Sequence, residues 1–125
     1  MTTALGHIGR GDKELVTAIV EAGLGKGLVE RFAGEPGVLF ATHHHARGVG
    51  STRIKAGQMY FLERDVVLVL VERESADRVF RDLFEAGGIG RPAGGIIFSE
   101  PILRGHPLLS TEELHGAIPE TPVDR

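Results

Sequence analysis

Val66-Val67-Leu68-Val69-Leu70-Val71 is the stretch that decides the fold, because it is apolar at every position, rich in β-branched residues and short enough for a strand. A strand covered on one side only alternates apolar and polar residues. An unbroken run therefore implies that both of its faces are buried. It is also the longest apolar run in the chain, far short of a bilayer span, so no direct membrane insertion is expected.

Outward from that run, strands and helices alternate. Downstream, Ser75 is the expected N-cap of a helix with Asp77 in its first turn, and Ala76, Val79, Phe80, Leu83 and Phe84 form its apolar stripe. Gly87-Gly88 closes that helix, and Ile96-Ile97-Phe98-Ser99 follows the turn from Ile89 to Gly95 as a fourth strand. Upstream, the third strand is expected to begin near Met59, with Arg64-Asp65 as an irregularity before the apolar run. Val38 to Ala46 reads as the second strand, and a loop from Arg47 to about Gly57 leaves it. Leu24, Leu28, Val29 and Phe32 give a helical stripe that ends at Gly34 to Gly37, around Pro36. The β-branched run from Glu14 to Val20, closed by Gly23, is the first strand.

The order is β-α-β-β-α-β, a ferredoxin-like α+β arrangement with a four-stranded antiparallel sheet and both helices on one face. Strands one and three are then central, and these are the two written as near-continuous apolar runs. Nothing left in the chain is large enough to cover the second sheet face. Other subunits are expected to do so.

The length of 125 residues predicts one domain, here residues 13–105, with a flexible leader over 1–12 and a tail over 106–125. That tail carries Ser110-Thr111-Glu112-Glu113, a capping-box pattern. Hydrophobic residues at 42% and charged residues at 25% are a globular composition. A net charge of −3 gives no basic footprint for nucleic acid. The lack of cysteine removes disulfides, thiolate metal sites and cysteine nucleophiles. The opening MTTALGHIGRGDK has neither the basic nor the apolar region of a signal peptide, so a cytoplasmic location is expected.

The chemistry is expected in Leu39 to Arg53, LFATHHHARGVGSTR. Arg47-Gly48-Val49-Gly50-Ser51-Thr52-Arg53 combines glycines that permit positive φ, hydroxyl donors and two guanidinium groups, the parts of an anion-binding turn. A second glycine-rich turn, ending in Gly94-Gly95, strengthens that reading. On a strand His43 and His45 share a face and His44 takes the other, so the pair could chelate a metal if a neighbour supplied a third ligand. His43 or His45 with Glu63 or Glu72 could also serve a small ferredoxin-like enzyme, a possibility that rests on fold analogy alone.

From about Leu15 to Arg104 the chain resembles the PII-type nitrogen-regulatory signal-transduction family and its PII-like relatives. The residues that carry the resemblance are Gly48-Val49-Gly50, Tyr60-Phe61-Leu62, the apolar strand Val66 to Val71, Gly87-Gly88-Ile89-Gly90 and Gly94-Gly95-Ile96-Ile97-Phe98. The resemblance implies a homotrimer that is a regulator and not an enzyme, with ADP, ATP or AMP in clefts between subunits and no required cofactor. It would place Gly48 and Gly50 in a first phosphate-facing turn, Gly94 and Gly95 in a second, and Arg104 at the neighbouring subunit's site. It also implies control of a membrane transporter or a metabolic enzyme through the loop after the second strand.

The chain departs from the family pattern in three places. Ser51 and Thr52 stand where a basic residue and a glutamine are usual, Gly95 stands in place of a lysine, and the loop from Gly50 to Tyr60 is short. Tyr60 sits where the third strand begins, so covalent nucleotidylation of a loop tyrosine is not expected. These departures favour ADP, AMP, a cyclic nucleotide or a small anion such as bicarbonate as effector.

Overall fold

The computed structural model describes residues 12–49, 54–55, 58–59 and 62–106. Residues 10–103 form one compact unit. Its elements are β1 (Lys13–Glu21), α1 (Gly25–Phe32), β2 (Val38–Gly48), β3 (Ile54–Lys55), β4 (Gln58–Met59), β5 (Leu62–Glu72), α2 (Arg73–Ala86) and β6 (Gly95–Pro101). Four strands form an antiparallel sheet in the order β2-β5-β1-β6, and β3 with β4 makes a separate two-stranded hairpin. This is the expected ferredoxin-like arrangement with β1 and β5 in the centre.

Alternation places the core. Val16, Ala18 and Val20 of β1 and Val67, Val69 and Val71 of β5 are completely buried. They form one cluster with Leu28 and Phe32 of α1 and Ala76, Val79 and Leu83 of α2. Both helices therefore cover the same face. The opposite face carries Val66, Leu68 and Leu70, half-buried in the single chain, beside Phe40, Ile96 and Phe98, which are exposed. Only the helix-side half of the Val66 to Val71 run is buried within one copy.

Four boundaries differ from the sequence expectation. Arg47 and Gly48 belong to β2, paired with Glu63 and Leu62, so the loop starts after them. Met59 lies in the hairpin, and β5 begins at Leu62. Arg64 and Asp65 keep regular register with both neighbours. The irregularity is instead in β2, where Val38 opposes Val71 and Phe40 opposes Leu70, leaving Leu39 as an extra residue. Finally, α2 begins at Arg73, with Glu72 as an extended N-cap that makes no side-chain cap. The Glu72 amide donates to Gly37 O and the Arg73 amide to Asp12 O, so β5 passes straight into the helix and Ser75 lies inside its first turn. The Ser110 to Glu113 pattern lies outside the described residues.

Candidate functional site

Antiparallel pairing brings the C-terminal ends of β2 and β1 beside the N-terminal ends of β5 and β6. At that end Gly48 opposes Leu62, Arg64 lies between Ala46 and Glu21, and Val20 opposes Gly95. The two glycine segments thus leave the same end of the sheet from its opposite edges. Three interstrand steps separate those edges, about 14 Å.

The second turn is built on close backbone approach. Gly95 has φ +139°, and a β-carbon there would run into the Ile19 carbonyl oxygen. One on Gly94, which is buried, would strike the Gly88 carbonyl, and the Gly94 amide donates to Arg91 O at 2.9 Å. Glycine is required at 95 by the way the turn lies on β1 and at 94 by the turn's own carbonyls, and the first constraint also explains why no lysine stands at 95. Arg64 reaches into the turn, its Nη2 donating to Ala93 O at 3.0 Å. Its Nη1 is buried without a hydrogen-bond partner. Arg91 pairs with Glu21 at 3.0 Å.

Beside the first segment, four side chains form a relay on the helix side. Arg47 Nε donates to Glu63 Oε2 at 2.9 Å, and Glu63 Oε1 lies 3.6 Å from His45 Nε2. His45 Nδ1 meets Asp65 Oδ1 at 2.7 Å, and Asp65 Oδ2 accepts the amides of Gly23 at 3.0 Å and Gly25 at 2.8 Å. Asp65 is only 4% exposed. Burial pushes its carboxyl pKa up, but the Gly25 and Gly23 amides and His45 together outweigh burial and hold it below the ordinary value. An ionised carboxylate only accepts, so His45 carries its proton on Nδ1. The carboxylate closes the turn leading into α1, whose cap residue Leu24 makes no side-chain cap.

His43 shares the helix side with His45, as expected. Its Nδ1 stands where a β-carbon on Gly25 would come within 2.8 Å. His44 is exposed, its Nδ1 3.3 Å from His45 O. Among the described residues no group of three or more His, Asp or Glu side chains could hold a metal ion.

Of the residues singled out in the sequence, Arg47, Gly48, Gly94 and Gly95 therefore sit at one sheet end, together with half-buried Val49 just beyond β2. Gly50, Ser51, Thr52 and Arg53 lie outside the described residues, and Arg104 lies outside the 10–103 unit. Sequence reasoning missed Arg64 and Asp65 as participants and used Glu63 only in the enzyme alternative. The signal was there, since three charged residues stand at the mouth of an otherwise apolar strand.

The fold is a ferredoxin-like βαββαβ unit with two glycine segments at one end of its sheet. No protein-family model matches the chain, and no curated protein matches it. Among solved structures it is similar to the Arabidopsis thaliana PII protein bound to citrate, at 20% identity and a TM-score of 0.56, over 74% of this chain and 79% of that one. It is similar to the Bacillus subtilis GlnK–ATP complex at 19% identity and a TM-score of 0.52, over 74% and 84%. A DUF3240 family protein from Shewanella baltica OS155 matches at 9% identity and a TM-score of 0.60, over 78% and 98%. At these identities the likeness is one of fold.

Proposed function

We propose that this chain is a divergent PII-like regulator that binds an adenine nucleotide or a small anion in clefts between the subunits of a homotrimer. The observation that carries the reading is the exit of two glycine segments from one sheet end at opposite edges. A ligand of nucleotide size meets both at once where the β2 edge of one copy stands beside the β6 edge of another. The open apolar sheet face supports assembly, because Val66, Leu68, Leu70, Phe40, Ile96 and Phe98 offer surface for a neighbouring copy to bury. The fold neighbours add support, two of them being a citrate complex and an ATP complex.

In this reading Arg47, Gly48, Val49, Gly50, Ser51, Thr52 and Arg53 on one side, and Gly94 and Gly95 on the other, contact the ligand, and Arg104 serves the neighbouring subunit's site. Occupancy sets the state of the segment after β2, which docks on or releases a partner. The partner is a membrane transporter or a metabolic enzyme, and the protein acts in the cytoplasm without chemistry of its own. Among the described residues no helix is long and apolar enough to cross a membrane.

Calorimetric titration with ADP, ATP, AMP and bicarbonate, with light scattering on the same sample, tests the proposal. Saturable binding near one site per subunit in a particle of three chains is expected. A monomer that gives no heat with any of the four overturns it.

One observation favours a second reading. Asp65 fixes the His45 tautomer and leaves Nε2 towards solvent and Glu63, the arrangement of a general base in a small enzyme. Turnover of a substrate by wild type and its loss in His45→Ala would support that alternative.

A further inference from the structure

The relay beside the first glycine segment contains a ring nitrogen that the regulatory reading leaves unused. His45 gives Nδ1 to Asp65 at 2.7 Å, and the other oxygen of that buried carboxylate holds the Gly23 and Gly25 amides. A carboxylate kept ionised in this way fixes the imidazole proton on Nδ1 and leaves a lone pair on Nε2. The His45 side chain is 64% exposed, so that lone pair is open to a reagent arriving from solvent. Two charged groups stand beside it. Glu63 Oε1 lies 3.6 Å from Nε2, and Arg47, two residues on along the same strand face, holds Glu63 Oε2 at 2.9 Å. A guanidinium fits a phosphoryl group as well as it fits a carboxylate and can exchange one for the other.

We infer that His45 is a phosphoryl-acceptor site, its Nε2 taking the phosphoryl group of a small activated donor, an acyl phosphate or a phosphoramidate. Nε2 attacks phosphorus, and the N–P bond forms as the bond from phosphorus to the leaving group breaks. The leaving group departs with that electron pair, as carboxylate from an acyl phosphate and as ammonia from protonated phosphoramidate. No proton has to leave the ring, because Nε2 carries none. The ring becomes cationic, and Asp65 stabilises it through Nδ1–H. Arg47 turns from Glu63 to the phosphoryl oxygens, whereas Glu63 opposes the step by occupying Arg47 and repelling the incoming dianion. The product adds negative charge three residues before Gly48, near the point where the first glycine segment leaves the sheet. It requires nothing of an intersubunit cleft and so goes beyond the regulatory reading.

The test incubates the full chain with acetyl phosphate or phosphoramidate, and phosphorus NMR with peptide mass spectrometry assigns the label to a residue and a ring nitrogen. His43 and His44 are internal controls, exposed histidines of the same strand with no carboxylate hydrogen-bonded to the ring among the described residues. His45 should be labelled about tenfold or more faster than either, on Nε2, the factor that one charge-assisted hydrogen bond supplies. Asp65→Asn sharpens the comparison. Its amide oxygen can keep the Gly23 and Gly25 amides while its NH2 group donates to Nδ1, which moves the His45 proton to Nε2. Labelling of His45 should then fall about tenfold or more and pass from Nε2 to Nδ1, a change that a merely structural Asp65 would not produce. Glu63→Gln should raise the wild-type rate, and Arg47→Gln should lower it. Equal labelling of the three histidines, labelling of wild-type His45 on Nδ1, a slower reaction in Glu63→Gln, or no labelling at all overturns the proposal. If Asp65→Asn does not fold, the comparison of the three histidines within the wild-type chain decides alone. Each of these failures leaves the nucleotide titrations, and with them the regulatory reading, untouched.

Discussion

Asp65 on β5 and His45 on β2 face each other across the sheet, with His45 Nδ1 2.7 Å from Asp65 Oδ1. The other carboxylate oxygen holds the amides of Gly23 and Gly25. One buried side chain thus fastens the β1–α1 turn to the central strand and orients an exposed histidine on the neighbouring strand.

Removing that carboxylate leaves buried amides without an acceptor. Asp65→Ala should cost about 2–4 kcal/mol of stability, whereas His45→Ala, whose side chain is largely exposed, should cost about 1 kcal/mol or less. Urea unfolding at neutral pH measures both. Equal losses in the two variants would show that His45, and not the pair of amides, is the main partner.

The same contacts set a pH dependence. Because the folded-state pKa of Asp65 lies below its unfolded value, its contribution to stability is fully present above the unfolded value, about 4, and is lost as pH falls through the folded one. The stability gap between wild type and Asp65→Asn should therefore be constant from pH 6 to 8 and narrow in acid. A gap that widens in acid contradicts the assignment.

Two glycines of α1 should respond oppositely to alanine. A β-carbon on Gly25 comes within 2.8 Å of His43 Nδ1 and 2.9 Å of Asp65 Oδ2, so Gly25→Ala should destabilise by about 1–3 kcal/mol. Nothing lies within 4 Å of the corresponding position on Gly27, so Gly27→Ala should stabilise the helix by about 0.5–1 kcal/mol. Thermal melts of the two variants give the comparison.

Placing a lysine at position 95 should not create a phosphate ligand. With φ at +139° and the Ile19 carbonyl in the way, Gly95→Lys should cost about 2 kcal/mol or more and loosen the β1–β6 pairing. Amide exchange at Ile96 and Ile97 would report that loosening, and unchanged protection would refute it.

The open sheet face gives a test of assembly. Leu68 lies in register with Thr17 and Thr42 on that face, away from both helices. Leu68→Glu should leave the helix-side core intact and convert the proposed three-chain particle into monomers, read by light scattering. A wild-type monomer would remove the need for any covering subunit.

Much of this architecture is local. Runs of β-branched residues, apolar stripes at helical spacing and glycine punctuation depend on near neighbours, so the sequence alone determined the order of the four sheet strands and two helices, the sheet's central strands and the sharing of one face by His43 and His45, but not the β3–β4 hairpin. It also singled out Gly94 and Gly95, as ligand contacts, and gave no sign of the close backbone approach that demands glycine there. Long-range pairing decided the rest. A single extra residue at Leu39 shifts β2 by one position against β5, and that shift sets His45 opposite Asp65. Read locally, Arg64 and Asp65 are a charged interruption of an apolar strand. Only the tertiary structure shows Asp65 bound to an amide 40 residues away and Arg64 reaching a carbonyl in a turn 29 residues on. Such partners are fixed by sheet register, a property of the whole ladder that no window of sequence contains.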